Sequence, residues 1–186
     1  MSWYLWKHHY EMHTYFAKEL SAYSPKSYLE IGGGHGAFLL EAIKQFGEHV
    51  KYEMVDISSS SLEMAKTFVN NPKVTFKLQD IYEYKPDEPF EFITMGEVLE
   101  HVEEPVKLLK GLGKLLKDDG TVFITTPTNA PAIDHIYLFR NEKEIEEVIN
   151  EGGFKVVNKL WVTSEEDVNK PEEESAMLYG AFIQKK

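Results

Sequence analysis

The chain has no cysteine, and this absence excludes several kinds of protein. Without a thiol among its 186 residues it has no disulfide framework, no thiolate metal cluster and no cysteine nucleophile. It also lacks any apolar run long enough to cross a bilayer, and Met1 is not followed by the basic and apolar stretches of a secretory signal. We therefore expect a cytoplasmic protein with no membrane partner.

Positive charge is scarce as well. The chain has 20 lysines and arginines against 31 aspartates and glutamates, which gives a formal net charge of −11. Nucleic-acid binding normally depends on a basic surface that neutralises phosphates, and the sequence contains no cluster of basic residues. We expect a small-molecule substrate, no nucleic-acid partner, and a monomer or a homodimer.

What is present is an alternation of apolar strand patterns with helical patterns. Strands are predicted over residues 27–31, 50–55, 74–78, 90–95, 121–126, 155–162 and 177–183. Helices are predicted over residues 3–22, 37–46, 58–69, 105–116 and 142–150. This alternation predicts an α/β fold with a doubly wound, mostly parallel sheet. The last two strands have only the charged stretch 164–175 between them, which predicts a terminal antiparallel hairpin. We expect one domain over residues 1–186, with residues 1–24 as a helical lid.

A glycine-rich loop follows the first predicted strand. Gly32, Gly34 and Gly36 stand between that strand and the next predicted helix. Such a loop lets a ligand approach the backbone closely at the carboxyl edge of the sheet. The glycines alone are ambiguous, because Gly32, Gly34 and Ala37, with Asp56 further on, also satisfy the fingerprint of dinucleotide-binding oxidoreductases.

Acidic residues end three successive predicted strands beside this loop. Glu30 would repel a pyrophosphate and attract an ammonium group, such as that of a methionine moiety. Asp56 suits the two hydroxyls of a ribose, and Asp80 suits an adenine amino group, with Ile57 and Ile81 as apolar neighbours. Each acid taken singly also fits a structural role in a turn, a cap or a salt bridge. Their occurrence together favours a cofactor site.

These motifs resemble those of the class I S-adenosylmethionine-dependent methyltransferases. Residues 29–36 resemble the first motif of that family, residues 55–58 the second and residues 78–81 the third. The resemblance covers nearly everything from Ser27 onward and implies the strand order 3-2-1-4-5-7-6. It implies S-adenosyl-L-methionine as the cofactor, bound by Glu30, Gly32, Gly34, Gly36, Asp56, Ile57, Asp80, Ile81 and Glu97.

Residues 94–105 resemble the fourth motif of the same family, which lies between cofactor and acceptor. If this segment continues as a helix after Gly96, then Glu97, Glu100 and His101 share one face. We predict His101 as a proton acceptor, with Glu97 and His135 as further catalytic residues. The alternative is that His101 only hydrogen-bonds the loop after the first strand.

The same segment raises the question of a metal. The small-RNA 2′-O-methyltransferases carry a similar glutamate and histidine pattern that holds a divalent ion, and this resemblance implies Glu97, Glu100, His101 and His135 as ligands. Similar stretches occur in family members for which the pattern implies no metal, and the acidic chain argues against an RNA acceptor. We expect a metal-free reaction and keep a divalent metal as the alternative.

Two regions are candidates for shaping an acceptor pocket. The first is the N-terminal helix, where His9 and His13 share a face and have no assigned role. The second is the loop at residues 126–139, which begins Thr-Pro-Thr instead of the Asn-Pro-Pro-Tyr type associated with amino groups of bases and amides. Aromatic residues in both regions predict a largely apolar pocket for a metabolite hydroxyl, carboxylate or amine.

Two rival hypotheses remain. An NAD-dependent oxidoreductase is favoured by the glycine fingerprint and opposed by Glu30 and by the terminal hairpin. A non-catalytic partner protein with the methyltransferase fold is opposed by the intact motifs at Glu30, Asp56 and Asp80.

Overall fold

The structure is a computed structural model that describes residues 3–163 and 176–186, with side chains from residue 8 onward. The charged stretch predicted as a loop at residues 164–175 lies outside the described residues, as do the side chains of Trp3, Tyr4 and Trp6.

Seven strands form one sheet. They are β1 Ser27–Ile31, β2 Lys51–Asp56, β3 Val74–Leu78, β4 Phe90–Gly96, β5 Leu116–Thr128, β6 Phe154–Thr163 and β7 Met177–Lys185. The strand order is β3-β2-β1-β4-β5-β7-β6. The first five strands pair in parallel, and β7 pairs antiparallel with both β5 and β6. The predicted fold class, strand order and hairpin are confirmed.

The described residues include five α-helices, of which the first precedes β1 and the other four connect strands. They are α1 Trp3–Glu19, α2 Ala37–Phe46, α3 Ser59–Val69, α4 Pro105–Leu115 and α5 Glu142–Glu151. Side-chain hydrogen bonds cap the N-termini of two of these helices. The Ser58 hydroxyl accepts a hydrogen bond from the Ser61 amide, and the Asn141 side chain accepts one from the Glu144 amide. Both satisfy amides that have no partner inside the helix.

The structure corrects two sequence-based boundaries. The fifth strand begins at Leu116 and not at Thr121, and its pairing with β4 shifts register between Phe90 and Phe92, as at a β-bulge. The segment after Gly96 does not continue as a helix and forms only a short 3-10 turn at Leu99–His101. The 3-10 turn in place of a helix changes the arrangement of the predicted catalytic residues.

Two hydrophobic cores pack against the two faces of the sheet. One contains the apolar sides of α4 and α5, and the other contains those of α1, α2 and α3. Met12 and Phe16 of α1 are buried, as is Leu20 in the 3-10 turn that follows, and the Phe16 ring lies 4.7 Å from that of Phe123 in β5. This packing holds α1 against the sheet. Within the described residues, no helix combines the length and apolar character needed to cross a membrane.

Candidate active site

The glycine loop lies at the edge where the parallel strands end. Gly34 has a φ of +54°, and a Cβ atom there would have no described atom within 4 Å, so the loop presents an open face. Gly33 is tightly enclosed instead, because a Cβ atom at this position would collide with the Glu30 carboxyl. The loop therefore rests directly on Glu30 and leaves its other side free for a ligand.

Glu30 is buried beneath this loop, with 1% of its surface exposed. Its Oε2 atom accepts hydrogen bonds from the Tyr28 hydroxyl at 3.2 Å and the Thr94 hydroxyl at 3.3 Å. Its Oε1 atom has no hydrogen-bond partner among the described residues. Burial raises the pKa of Glu30 to about 8. The carboxyl thus supports the loop from below, and its predicted contact with an ammonium group stays a prediction.

Asp56 and Asp80 follow the neighbouring strands. Asp56 is 8% exposed, and its Oδ1 accepts a hydrogen bond from the Ser58 amide at 2.8 Å. Asp80 Oδ1 accepts one from the Tyr82 amide at 2.9 Å. Each acid therefore closes a turn at the end of its strand through its Oδ1 atom.

The apolar neighbours differ in exposure. Ile57, beside Asp56, is 75% exposed, whereas Ile81, beside Asp80, is partly buried against the core. Both lie at the same edge, because the Gln79 amide donates to the Asp56 carbonyl at 3.1 Å and so joins the ends of β2 and β3.

Glu97 follows the last residue of β4 in a left-handed backbone conformation, with a φ of +53°. Its amide donates to the Thr125 carbonyl at 2.9 Å, which fixes the turn against β5. Its carboxylate lies 3.2 Å from Nδ1 of His9 in α1. The prediction that Glu97 lies with Glu100 and His101 on one helical face is wrong, because the left-handed residue stops the helix at its first position.

Glu100, His101 and His135 come together beside the loop after β5. Glu100 is 1% exposed, and its Oε2 accepts a hydrogen bond from the Thr126 hydroxyl at 2.9 Å. Its Oε1 has no hydrogen-bond partner among the described residues. Burial raises the pKa of Glu100 to about 7, and the neighbouring Glu97 charge adds to this.

The two histidines of this cluster are oriented by backbone carbonyls. Nδ1 of His101 lies 2.8 Å from the Asp134 carbonyl, and Nδ1 of His135 lies 2.6 Å from the Ala130 carbonyl. Since a carbonyl only accepts, both Nδ1 atoms carry the proton and both Nε2 atoms hold a lone pair. One atom each of Glu100, His101 and His135 lie within 4.8 Å of one another.

The histidines of α1 have separate surroundings. The His13 ring stacks on Phe38 with centroids 4.2 Å apart. Burial, with smaller contributions from His9 and His35, lowers the pKa of His13 to about 4, so this ring is neutral at pH 7. His9 instead contacts the carboxylate of Glu97. The sequence did not predict this pair, because the only local signal was the shared helical face of His9 and His13.

A family model described as a methyltransferase domain matches residues 7–159, which is most of the chain. The chain belongs to this methyltransferase family. The sequence-based assignment to the methyltransferases is thereby confirmed.

Curated proteins match part of the chain. A ubiquinone biosynthesis O-methyltransferase of Xanthomonas campestris pv. campestris (strain B100) is 29% identical over 108 residues, which are 56% of this chain and 44% of that protein. The chain thus spans less than half the length of the curated relative it matches.

Solved structures share the fold. The N-methyltransferase NodS from Bradyrhizobium japonicum WM9, in complex with S-adenosyl-L-homocysteine, has a TM-score of 0.71 at 19% identity, with 95% of this chain and 86% of NodS covered. The [4+2]-cyclase SpnF has a TM-score of 0.72 at 13% identity, with 94% and 80% covered. Because these neighbours differ in the reactions that their names state, the reaction of this chain must be argued from its own site.

Proposed function

We propose that the chain transfers the methyl group of S-adenosyl-L-methionine to a small-molecule acceptor. The observation that carries this proposal is the open glycine loop with Glu30, Asp56 and Asp80 at the ends of three adjacent strands. In a chain of the methyltransferase family, these residues form a site with acids at three points along one sheet edge.

The residues fit the cofactor. Asp56 has one carboxylate oxygen beyond its bond to the Ser58 amide, and this oxygen suits a ribose hydroxyl. Asp80 and Ile81 suit the adenine ring, with Ile57 as an exposed apolar contact. The open face at Gly34 accommodates close approach of the methionine moiety. When bound, the cofactor supplies a methyl group on a positively charged sulfur.

The proposed acceptor is a metabolite with a hydroxyl, carboxylate or amine. The net charge of −11 supports a small molecule over a nucleic acid. We propose that residues 1–24 act as a lid over the acceptor, and that the protein works in the cytoplasm as a monomer or homodimer. The chain's task is to hold the acceptor atom in line with the methyl group, and positioning alone supplies much of the acceleration. If the acceptor carries a proton, His101 or a histidine of α1 takes it.

The test is transfer of a labelled methyl group. The protein is incubated with methyl-labelled S-adenosyl-L-methionine and a cell extract separated into small-molecule, RNA and protein fractions. We expect label in the small-molecule fraction, and none above the boiled-enzyme control in RNA or protein. Label confined to RNA would overturn the small-molecule acceptor, and transfer to no fraction would favour the non-catalytic partner hypothesis.

A divalent metal on the acceptor side is a second candidate, favoured by Glu100, His101 and His135. The free Oε1 of Glu100 and the two Nε2 lone pairs are a chemically suitable donor set. Such an ion would polarise the acceptor oxygen and lower its pKa, so that no separate base is needed. Glu97 is directed to His9 instead, so the four ligands considered from the sequence become three.

The metal-free mechanism makes a clear prediction for chelation. Treatment with EDTA should leave methyl transfer within about twofold of the untreated enzyme, and calorimetric titration with Mn²⁺ or Zn²⁺ should show no stoichiometric binding. Tight binding of one ion that is lost in both Glu100→Ala and His135→Ala, with turnover lost on chelation and restored by that ion, would establish the metal mechanism instead.

A further inference from the structure

We propose that His9 of α1 is the catalytic proton acceptor of this enzyme and that Glu97 is its positioning residue. This inference rests on the proposed methyl transfer and names the residue that completes it. It starts from the 3.2 Å contact between His9 Nδ1 and Glu97 Oε1, which joins the N-terminal helix to the end of β4.

The pair is placed at the reacting edge of the sheet. Gly96 ends β4, Glu97 follows it, and a Cβ atom at Gly32 of the glycine loop would collide with the Val98 side chain. Glu97 therefore lies next to Val98, the residue after β4 that packs against the glycine loop. His9 reaches this point from α1, the element proposed as the lid.

Several contacts fix the two side chains. The left-handed backbone of Glu97 costs conformational energy and is held by the amide bond to Thr125. One turn after His9, the stacking of His13 on Phe38 fastens α1 to the start of α2. Strained backbone at a non-glycine residue is often found at functional sites. Here the strained residue, Glu97, contacts a histidine of α1.

The contact also selects the tautomer of His9. In the neutral ring, the carboxylate 3.2 Å from Nδ1 favours the tautomer with the proton on Nδ1, because two lone pairs would repel each other, and Nε2 then presents its lone pair. His9 is 44% exposed at its side chain, which leaves room for an acceptor molecule. The negative charge of Glu97 stabilises the imidazolium that forms when Nε2 takes a proton.

His101 is less suited to this task. Its Nδ1 lies 2.8 Å from the Asp134 carbonyl and 3.8 Å from the Asp134 carboxylate, and its ring lies 5.0 Å from that of His135. His101 therefore belongs to the cluster with Glu100 and His135, which is the candidate metal site, whereas His9 lies outside that cluster beside Glu97.

The proton and electrons balance in a single step. The acceptor oxygen or nitrogen forms a bond to the methyl carbon, and the bond from that carbon to sulfur breaks with its electron pair left on sulfur. The proton of the acceptor moves to Nε2 of His9 and is later released to water. The products are the methylated acceptor, S-adenosyl-L-homocysteine and one proton.

The first test needs no turnover. Long-range ¹H–¹⁵N NMR of the protein should show neutral His9 as the Nδ1–H tautomer, and Glu97→Gln should change its ring nitrogen shifts. His49, which is exposed and remote from this edge, should keep its shifts. An Nε2–H tautomer for His9 would overturn the proposal, whatever the outcome of the transfer assay.

The second test uses transfer of labelled methyl to the small-molecule fraction. His9→Ala should lower the rate of transfer at saturating S-adenosyl-L-methionine about 100-fold or more, and added imidazole should restore part of the rate. Glu97→Gln should lower the rate less, and His49→Gln should match the wild type. Loss of turnover in His101→Gln with full activity in His9→Ala would overturn the proposal. Absence of transfer by the wild type would refute the proposed function, while the NMR result would still decide the geometry of His9.

Discussion

The free energy of unfolding of the ligand-free protein is expected to fall by about 2 kcal/mol between pH 6.5 and pH 8, and Glu30→Gln should remove most of this fall. Burial raises the pKa of Glu30 from 4.5 to about 8 in the folded chain. Between these values the folded state holds a proton that the unfolded state has released. Stability is therefore lost as the pH rises through this range.

Among the described residues, two raised pKa values account for the fall between pH 6.5 and pH 8. Glu100, with its pKa raised to about 7, contributes in the same direction up to about pH 7. His13 acts weakly in the opposite direction just above pH 6.5, because burial lowers its pKa to about 4 in the folded chain whereas an unfolded histidine is still partly protonated there. Above pH 7 most of the remaining slope belongs to Glu30, because its pKa is the higher of the two. The glutamine variant keeps the shape of the side chain and cannot ionise.

The measurement is denaturant unfolding at pH 6.5, 7 and 8 for the wild type and for Glu30→Gln. The matched control is Glu63→Gln, because the Glu63 side chain is 73% exposed. It should reproduce the wild-type slope. An unchanged slope in Glu30→Gln would show that Glu30 is ionised in the folded protein and would contradict the burial argument.

Replacing Asp56 by asparagine is expected to weaken S-adenosyl-L-homocysteine binding by about 1–3 kcal/mol, which is a factor of about 5 to 150 in Kd. Asparagine can still accept from the Ser58 amide, so the turn after β2 is preserved. What is lost is the charged oxygen that we assign to the ribose hydroxyls.

Calorimetric titration with S-adenosyl-L-homocysteine measures the effect. The control is Asp119→Asn, because Asp119 is an exposed acid in the irregular first part of β5. Equal affinities of Asp56→Asn and the wild type would remove Asp56 from the cofactor site.

Much of the fold was predictable from the sequence because its signals are local. The serine run before α3 includes the cap Ser58, and the hydrophobic alternation marks each strand to within a few residues. The terminal hairpin followed from the absence of a helical pattern between the last two strands. The early start of β5 was not predictable, because Lys117 to Gly120 have no strand pattern and are held by pairing across a bulge.

The residues of the candidate site could be predicted from the sequence, whereas their arrangement in space could be predicted only in part. Glu30, Asp56 and Asp80 lie at adjacent strand ends, as parallel strands require. The left-handed backbone at Glu97 has no sequence signal, since it occurs at a glutamate that local propensity would place in a helix. The contact of Glu97 with His9 depends on that backbone turn and on the packing of α1, which are long-range effects.

The claim that this sheet edge binds S-adenosyl-L-methionine is tested most directly by titrating the wild-type protein with S-adenosyl-L-homocysteine and, separately, with NADH. Calorimetry should show one S-adenosyl-L-homocysteine molecule bound per chain with a Kd in the micromolar range, and no heat of binding for NADH. Binding of NADH without binding of S-adenosyl-L-homocysteine would contradict the account and would return the glycine loop to the dinucleotide-binding oxidoreductases.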